Sequence, residues 1–360
     1  MLLKVDPFST YSTAQLTSYG MFTSTINTVG GGTFSIVTNS GRGGVGGILR
    51  INCGGTGQIF ARYTFGPPCS LAPVDTTKFA AGFVWRPNTL TGMTGNGFFS
   101  VENGTTGLIT LTTSAASFVE VRRGSRTGTV LGTSSVALAA GVFKMIELEC
   151  GFNASTGTID LYFDGVNVLH LTGQNTGTTA YTGYFLGLDS ASSPSGTTTF
   201  DYSEFYFCDG SDGTTAQGAA FNTAFKDPKV LCLMPTADGN YTQFTPTPAG
   251  AHWSTVDENP ATDDTDYVED GTVGHRDSAL YTFPAGVVAA VPLTAMKKTD
   301  ALARSVRPFV RGGGVDYDGP TDIALSQVYQ HYFAGVYAKD PSTSAAWASG
   351  SREFGTKVTV

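Results

Sequence analysis

The strongest regularity in the chain is a short-range alternation of apolar and polar positions. Met145–Cys150 reads M-I-E-L-E-C, which puts Ile146, Leu148 and Cys150 on one face and Glu147 and Glu149 on the other. A period of two predicts a half-buried strand. Thr158–Phe163 and Val166–Leu171 flank Asp164-Gly165, a dipeptide suited to the primed turn of a hairpin. Tyr181–Leu188 and Thr199–Cys208 follow as aromatic strands. Gly47–Asn52, Phe79–Arg86, Phe98–Glu102, Leu108–Thr112 and Phe118–Arg122 precede them. Further turn dipeptides (Asn96-Gly97, Asn103-Gly104, Asp209-Gly210) separate these segments. Roughly ten strands by Cys208 suit a two-sheet sandwich.

From Asp209 to Asp227 the alternation lapses into small and polar residues, with Phe221 and Phe225 as the only large apolar anchors. Such a stretch predicts a linker. The chain then divides into a unit over 1–212, a linker over 213–227 and a smaller β unit over 228–360. In the second unit, Lys229–Met234, Tyr241–Phe244, Ala279–Phe283, Val287–Leu293, Ser305–Arg311 and Lys357–Val360 are the predicted strands. One segment is ambiguous: Leu325, Val328, Tyr329, Tyr332, Phe333, Val336 and Tyr337 fall at helical spacing. Their β-branched and aromatic character, closed by Asp340-Pro341, predicts a strand over Gln327–Ala338. The acidic run Asp257–Asp270 is predicted to be a loop.

Composition agrees with an all-β fold. Glycine contributes 46 and threonine 51 of the 360 residues, more than a quarter of the chain. Glycine supplies turns and threonine is β-branched, and both disfavour helix interiors. Only 14% of residues are charged and the net charge is −8, which argues against a nucleic-acid partner needing a basic face. No run of about 20 apolar residues exists to span a membrane. Asp6-Pro7 interrupts the opening MLLKVDPFST, so no signal peptide is predicted and synthesis is expected in the cytoplasm. Cys53, Cys69, Cys150, Cys208 and Cys232 are odd in number and lack a CxxC, which excludes a zinc ribbon or thioredoxin-type site. They are expected to be free, largely buried thiols, with pairing in an oxidising medium as the alternative.

The candidate chemistry is sparse. Glu147 and Glu149 share a strand face, but Gly151 stands where a third alternating acid would be. They are therefore expected on a solvated sheet face rather than in a glycosidase site. Asp201 and Glu204, three apart, are expected on opposite faces. Asp257, Glu258, Asp263, Asp264, Asp266, Glu269 and Asp270 suggest weak calcium binding in the 257–270 loop, although the spacing is not that of an EF-hand. His170, His252, His275 and His331 form no cluster. Arg304, Arg307 and Arg311 are not expected to make a basic stripe. Trp85, in the run Phe79, Phe83, Trp85, is expected in the core. Trp253, in AGAHWSTVDE, is the candidate exposed glycan contact.

The segments FKMIELECGFNASTGTIDLYFDGVNVLHLTG and TTFDYSEFYFCDG, with TTKFAAGFVWRP and RTGTVLGTSS before them, resemble a laminin-G-like, concanavalin A-like jelly roll of bacteriophage and prophage proteins. LMPTADGNYTQFTP, HWSTVDENPATDDTDYVED, RSVRPFVRGGGVDYDG and KDPSTSAAW resemble the β domain that follows it there. The resemblance implies an all-β chain, an N-terminal concanavalin-like jelly-roll sandwich followed by a second, smaller β-sandwich. It implies a non-enzymatic virion structural protein on the tail or receptor-binding region. Its implied partners are other virion proteins, further copies of itself (a trimer by analogy) and host-surface glycan. It carries over no catalytic residue, and no cofactor is expected beyond the calcium idea. A capsid decoration or head-fibre protein and a polysaccharide-degrading enzyme are the rival readings.

Overall fold

The computed structural model describes residues 1–27, 32–42, 46–53, 57–190, 198–211, 223–261 and 264–360. The chain is all-β, with helix confined to single turns at Gln15–Ser18 and His252–Thr255 among the described residues.

Two antiparallel sheets make the N-terminal sandwich. The eight-stranded sheet contains β1 (Leu2–Asp6), β3 (Thr33–Val37), β4 (Ile48–Cys53), β6 (Lys78–Pro87), β11 (Lys144–Gly151), β12 (Gly157–Phe163), β13 (Val166–Gln174) and β15 (Thr198–Asp209). Its order is β13-β12-β11-β6-β15-β4-β3, with β1 paired to β15. The seven-stranded sheet contains β2 (Ser24–Asn27), β5 (Ile59–Thr64), β7 (Gly97–Asn103), β8 (Thr106–Thr113), β9 (Phe118–Arg123), β10 (Thr129–Ala137) and β14 (Gly183–Asp189), in the order β10-β9-β8-β7-β14-β5-β2. Each sheet mixes hairpin neighbours with crossovers, β11-β6-β15-β4 in one and β7-β14-β5-β2 in the other, and these crossovers mark a jelly roll rather than a meander.

The core between the sheets is built by strict alternation. Phe79, Ala81, Phe83 and Trp85 of β6 point inward and are fully buried. Trp85 stacks on Phe98 at 4.3 Å and on Phe200 at 6.0 Å between ring centroids. Burying such rings contributes on the order of 2–3 kcal/mol each. The hairpin predicted at Asp164-Gly165 forms as expected, with Asp164 at φ 47° and Gly165 at φ 78°.

In the C-terminal part, β16 (Ala237–Thr242), β19 (Arg276–Phe283), β25 (Gly350–Val358), β21 (Ser305–Gly312) and β22 (Val315–Asp318) form a sheet in that order, with β23 (Ile323–Ala324) on β21. Two ribbons accompany it: β17 (Thr245–Thr247) with β18 (Tyr267–Glu269), and β20 (Leu293–Met296) with β24 (Gln330–Phe333). Phe283, Ala290, Val310 and Trp347 make its own small core.

Several predicted strands differ from the structure. Lys229–Met234 forms none; Leu233 packs into the C-terminal core without a ladder partner. Val287–Leu293 contributes only the bridge Ala290–Tyr337 before β20 begins. The expected strand over Gln327–Ala338 contracts to β24, Gln330–Phe333, and the rest is irregular. Each segment covers only part of its apolar set: Leu233, Ala290 and Val336 pack inward, whereas Leu231, Val288 and Val328 stay exposed. The loop over 257–270 includes β18. The predicted set lacks β1, β2, β3, β5, β10, β17, β22 and β23; β10 is an edge strand with most positions exposed, so it carries no apolar alternation.

The outer face of the eight-stranded sheet is covered by the chain itself. Ala80, Val84, Met145, Tyr206 and Cys208 project there and pack against Phe333, Val336 and Ala338. Glu147 also lies on this face, and the expectation that it is solvated is overturned. It is fully buried. It accepts hydrogen bonds from the Tyr206 hydroxyl at 2.5 Å and from the backbone N–H groups of Lys226 and Asp227 at 2.9 and 2.8 Å. Lys226 and Asp227 both adopt positive φ, 61° and 72°. The two successive N–H groups bond separate oxygens of the one carboxylate, Lys226 to Oε1 and Asp227 to Oε2. Glu149 pairs with Lys78 at 2.6 Å and accepts from Ala224 N–H. The end of the predicted linker is thus fastened to the sheet; residues 213–222 of it lie outside the described residues.

Candidate functional site: the outer face of the seven-stranded sheet

The other outer face is largely polar, and its central side chains are themselves buried: Phe60, Ser100, Glu102, Thr110 and Phe185 are each 4% exposed or less. On β5, Ile59, Ala61 and Tyr63 enter the core while Phe60 and Arg62 point outward; on β7, Val101 points in while Ser100 and Glu102 point out. The same alternation turns Thr110 of β8, Glu120 and Arg122 of β9, and Phe185 of β14 to this side. Register aligns them. Arg62 is opposite Phe185, Phe185 opposite Ser100, Ser100 opposite Thr110, and Thr110 opposite Arg122. This makes one continuous cross-strand row over five strands.

A cavity of about 280 Å³ lies over the row, lined by Gln58, Phe60, Arg62, Ser100, Glu102, Thr105, Gly107, Thr110, Ser125, Phe185 and Asp189. Its aromatic element is the pair Phe60 and Phe185, with centroids 4.8 Å apart. The Arg62 guanidinium sits 5.0 Å from the Phe60 ring. Gly187, opposite Phe60, has φ 142°, and a Cβ there would lie 2.4 Å from the Phe60 Cα, so glycine is required for this approach.

The polar groups are paired with one another. Arg62 grips Glu102 in a bidentate pair, Nε to Oε2 at 2.6 Å and Nη2 to Oε1 at 3.1 Å. Burial, aided by nearby Asp189, raises the Glu102 carboxyl pKa above its ordinary value, with Arg62 opposing the shift. Asp189 Oδ1 accepts from Gln58 Nε2 at 2.6 Å and faces Arg126 Nε at 3.4 Å. Arg122 donates to Thr112, to the Gly128 carbonyl and to Glu120 at 3.0, 3.0 and 2.6 Å. The Ser100 and Thr110 hydroxyls are 2.9 Å apart, and Thr110 also donates to the Gly124 carbonyl. The cavity lining thus holds mutually paired donors and acceptors beside a buried aromatic pair.

The residues singled out from the sequence lie elsewhere. Trp253 is half-buried in the turn His252–Thr255 of the C-terminal part, its backbone N–H donating to Asp238 Oδ1 at 2.8 Å, and it does not line the cavity. Of the acidic run, Asp264 pairs with Lys297 and accepts from Tyr329, and Asp270 pairs with His275. Asp263 lies outside the described residues. Among the described residues no group of three or more His, Cys, Asp or Glu side chains is placed to hold a metal ion. Asp201 bonds to Arg50 and Arg86 and Glu204 to Arg42. A bulge between Ser203 and Tyr206 resets the alternation of β15, so the simple face argument for Glu204 fails. Arg307 and Arg311 pair with Asp322 and Asp316, and Arg304 with Asp300. All five cysteines are free.

One buried polar group stands at the seam between the sandwich and the C-terminal part. Lys4, fully buried, donates to the Met21 carbonyl at 3.1 Å and lies 3.8 Å from the Tyr63 ring centre. Burial lowers its pKa, with Asp6 opposing. Burial pushes Asp6 up to about 6, although Lys4 and the Phe8 N–H and Tyr11 hydroxyl oppose this. His331, from β24, is pushed down to about 4 by burial and by Lys4. Its backbone N–H donates to the Tyr19 carbonyl, and its carbonyl accepts from the Cys69 thiol.

The groove residues escaped the sequence reading because they come from five separate short strands. The readable signal was weak: Arg62, Glu102 and Arg122 are charged residues alternating inside otherwise apolar strands.

No family model matches the chain, and no curated protein matches it. Solved structures do show likeness. The chain is similar to cellulose induced protein Cip1 at 16% identity, covering 51% of this chain and 89% of that one, with a TM-score of 0.39. It is similar to the alginate lyase Aly36B at 14% identity, covering 57% and 96%, TM-score 0.34. It is also similar to lectin II from Ulex europaeus at 12% identity, covering 49% and 89%, TM-score 0.32. The jelly-roll character of the chain rests on its own strand order.

Proposed function

We propose that this chain is a non-enzymatic structural protein on the exterior of a bacteriophage particle, in the tail or receptor-binding region, and that it binds host-surface glycan on its seven-stranded sheet. The observation that carries glycan binding is the cavity over Arg62, Phe185, Ser100 and Thr110. Sugars carry an apolar ring face and a rim of hydroxyls, and the cavity has the Phe60–Phe185 pair in its floor beside fixed donors and acceptors. The phage assignment is supported by the segments quoted above that resemble virion proteins. Assembly into a homo-oligomer on the particle belongs to the same reading.

The described lining of the cavity contains no His, Tyr, Lys or Cys to act as base or nucleophile. Its two acids, Glu102 and Asp189, sit opposite Gly183 and Gly97, at opposite ends of the β7–β14 pair. A raised Glu102 carboxyl in a groove is the one observation favouring a glycan-cleaving enzyme. Two measurements test the proposal. Antibodies against the chain should label purified particles, and a glycan array should give ligands lost in Phe185→Ala. Absence from particles defeats the virion role, and glycan cleavage abolished by Glu102→Gln defeats the non-enzymatic one.

A further inference from the structure

Resting on the glycan reading of the groove, we infer that its ligand is a short neutral oligosaccharide lying across the strands, rather than an anionic glycan such as a polyuronate. Charge balance is the first argument. The described lining contains one cation, Arg62, and two carboxylates, Glu102 and Asp189, with Arg126 beside Asp189 restoring balance. An anionic sugar needs an unshared cation to repay its desolvation. Here Arg62 already holds Glu102 through two nitrogens, and Arg126 faces Asp189. The segments 54–56 and 191–197, which lead into β5 and join β14 to β15, contain no charged residue in the sequence.

The second argument is the capacity that remains. The bidentate pair uses Nε and Nη2 of Arg62, leaving Nη1 as a donor for a ligand. Asp189 receives its partners on Oδ1, leaving Oδ2 as an acceptor. Donor and acceptor sites held by neutralised pairs match hydroxyl groups, which need one of each. The third argument is shape. From Arg62 to Thr110 the row crosses three strand spacings, about 14 Å, which is the reach of several linked rings rather than one.

The test titrates the full chain with cellotetraose, mannotetraose and maltotetraose, and separately with tetramannuronate, by calorimetry. At least one neutral tetrasaccharide is expected to bind at least tenfold tighter than the uronate, with less than twofold change between 20 and 300 mM salt. Phe185→Ala should weaken it at least tenfold; Gln58→Ala, at a more exposed position, should weaken it severalfold with the unfolding midpoint unchanged. Asp189→Asn, which uncovers Arg126, should raise uronate affinity at least fivefold, a gain that no loss of folding would give. Preferential binding of the uronate, or binding that falls steeply with salt, overturns the neutral assignment and leaves the glycan reading standing. Failure of all four ligands, together with a blank array of longer host-surface glycans, overturns both.

Discussion

The two outer faces of one sandwich have opposite fates. On the eight-stranded sheet the outward positions are Ala80, Val84, Met145, Tyr206 and Cys208, and the C-terminal part lies over them. On the seven-stranded sheet they are Arg62, Ser100, Glu102, Thr110 and Phe185, and a cavity lies over them. Both sheets follow the same inward alternation, so the inner positions say nothing about which face is free. What distinguishes the faces is the residue type at every second position. An apolar outward set would cost free energy in water and so must be covered by another part of the chain; a polar set that pairs within itself, as Arg62 does with Glu102, can lie under a cavity instead.

The comparison breaks most severely at the covered face. Val336 is 1% exposed within the apolar seam, so Val336→Asp buries an unpaired charge. We expect a loss of about 3–5 kcal/mol in denaturant unfolding, with protease sensitivity appearing in the C-terminal part. If unfolding is unchanged, the seam is not a stabilising interface.

Glu147 comes next. Glu147→Ala strands two backbone N–H groups and the Tyr206 hydroxyl in a buried place, for an expected cost of about 2–3 kcal/mol. Limited proteolysis near 223–227 should accelerate. Equal cleavage in wild type and variant would show that this carboxylate does not fasten the strap.

The seam also makes a sign-specific pH prediction. His331 is neutral in the fold until about pH 4, while in the unfolded chain it protonates near its ordinary 6.5. Between those values the unfolded state binds the extra proton, so stability falls as pH falls through that window. Asp6 opposes it. Its folded pKa is raised to about 6, so the native state holds the extra proton between its ordinary 3.8 and 6, and stability there rises as pH falls. His331→Leu should therefore flatten the loss between pH 6.5 and 4 by on the order of 2 kcal/mol, and Asp6→Asn should steepen it. Unfolding midpoints at pH 7.5, 5.5 and 4.5 provide the check; the same slope in all three proteins rejects the assignment.

The smallest effect is expected at Trp253. It lies on the turn after Ala251 in the C-terminal part, so Trp253→Ala should leave neutral tetrasaccharide affinity within twofold. A tenfold loss would move the binding surface away from the seven-stranded sheet.

How much of this was readable from the sequence differs by level. The strands around Met145–Cys150, Phe79–Arg86 and the Asp164-Gly165 hairpin are legible because each buries one face against the same core. β10 and β3 are not, since edge strands with few buried positions lack that signature. Glu147 and Glu149 show the limit of the pattern. Alternation correctly puts them on the outward side of β11, yet outward is not solvated when another segment arrives to cover it. The groove was illegible for a related reason: Arg62, Glu102 and Asp189 meet only through strand order and register. Neither is local in the chain.

The cover on the eight-stranded sheet also has a directional consequence. Because the C-terminal part occupies one side of the sandwich, the groove opens on the reverse side, two sheet layers away. Anything that grips the chain through its C-terminal sheet would leave the groove side pointing outward. The fold would then aim its groove by means of the same residues that close its back.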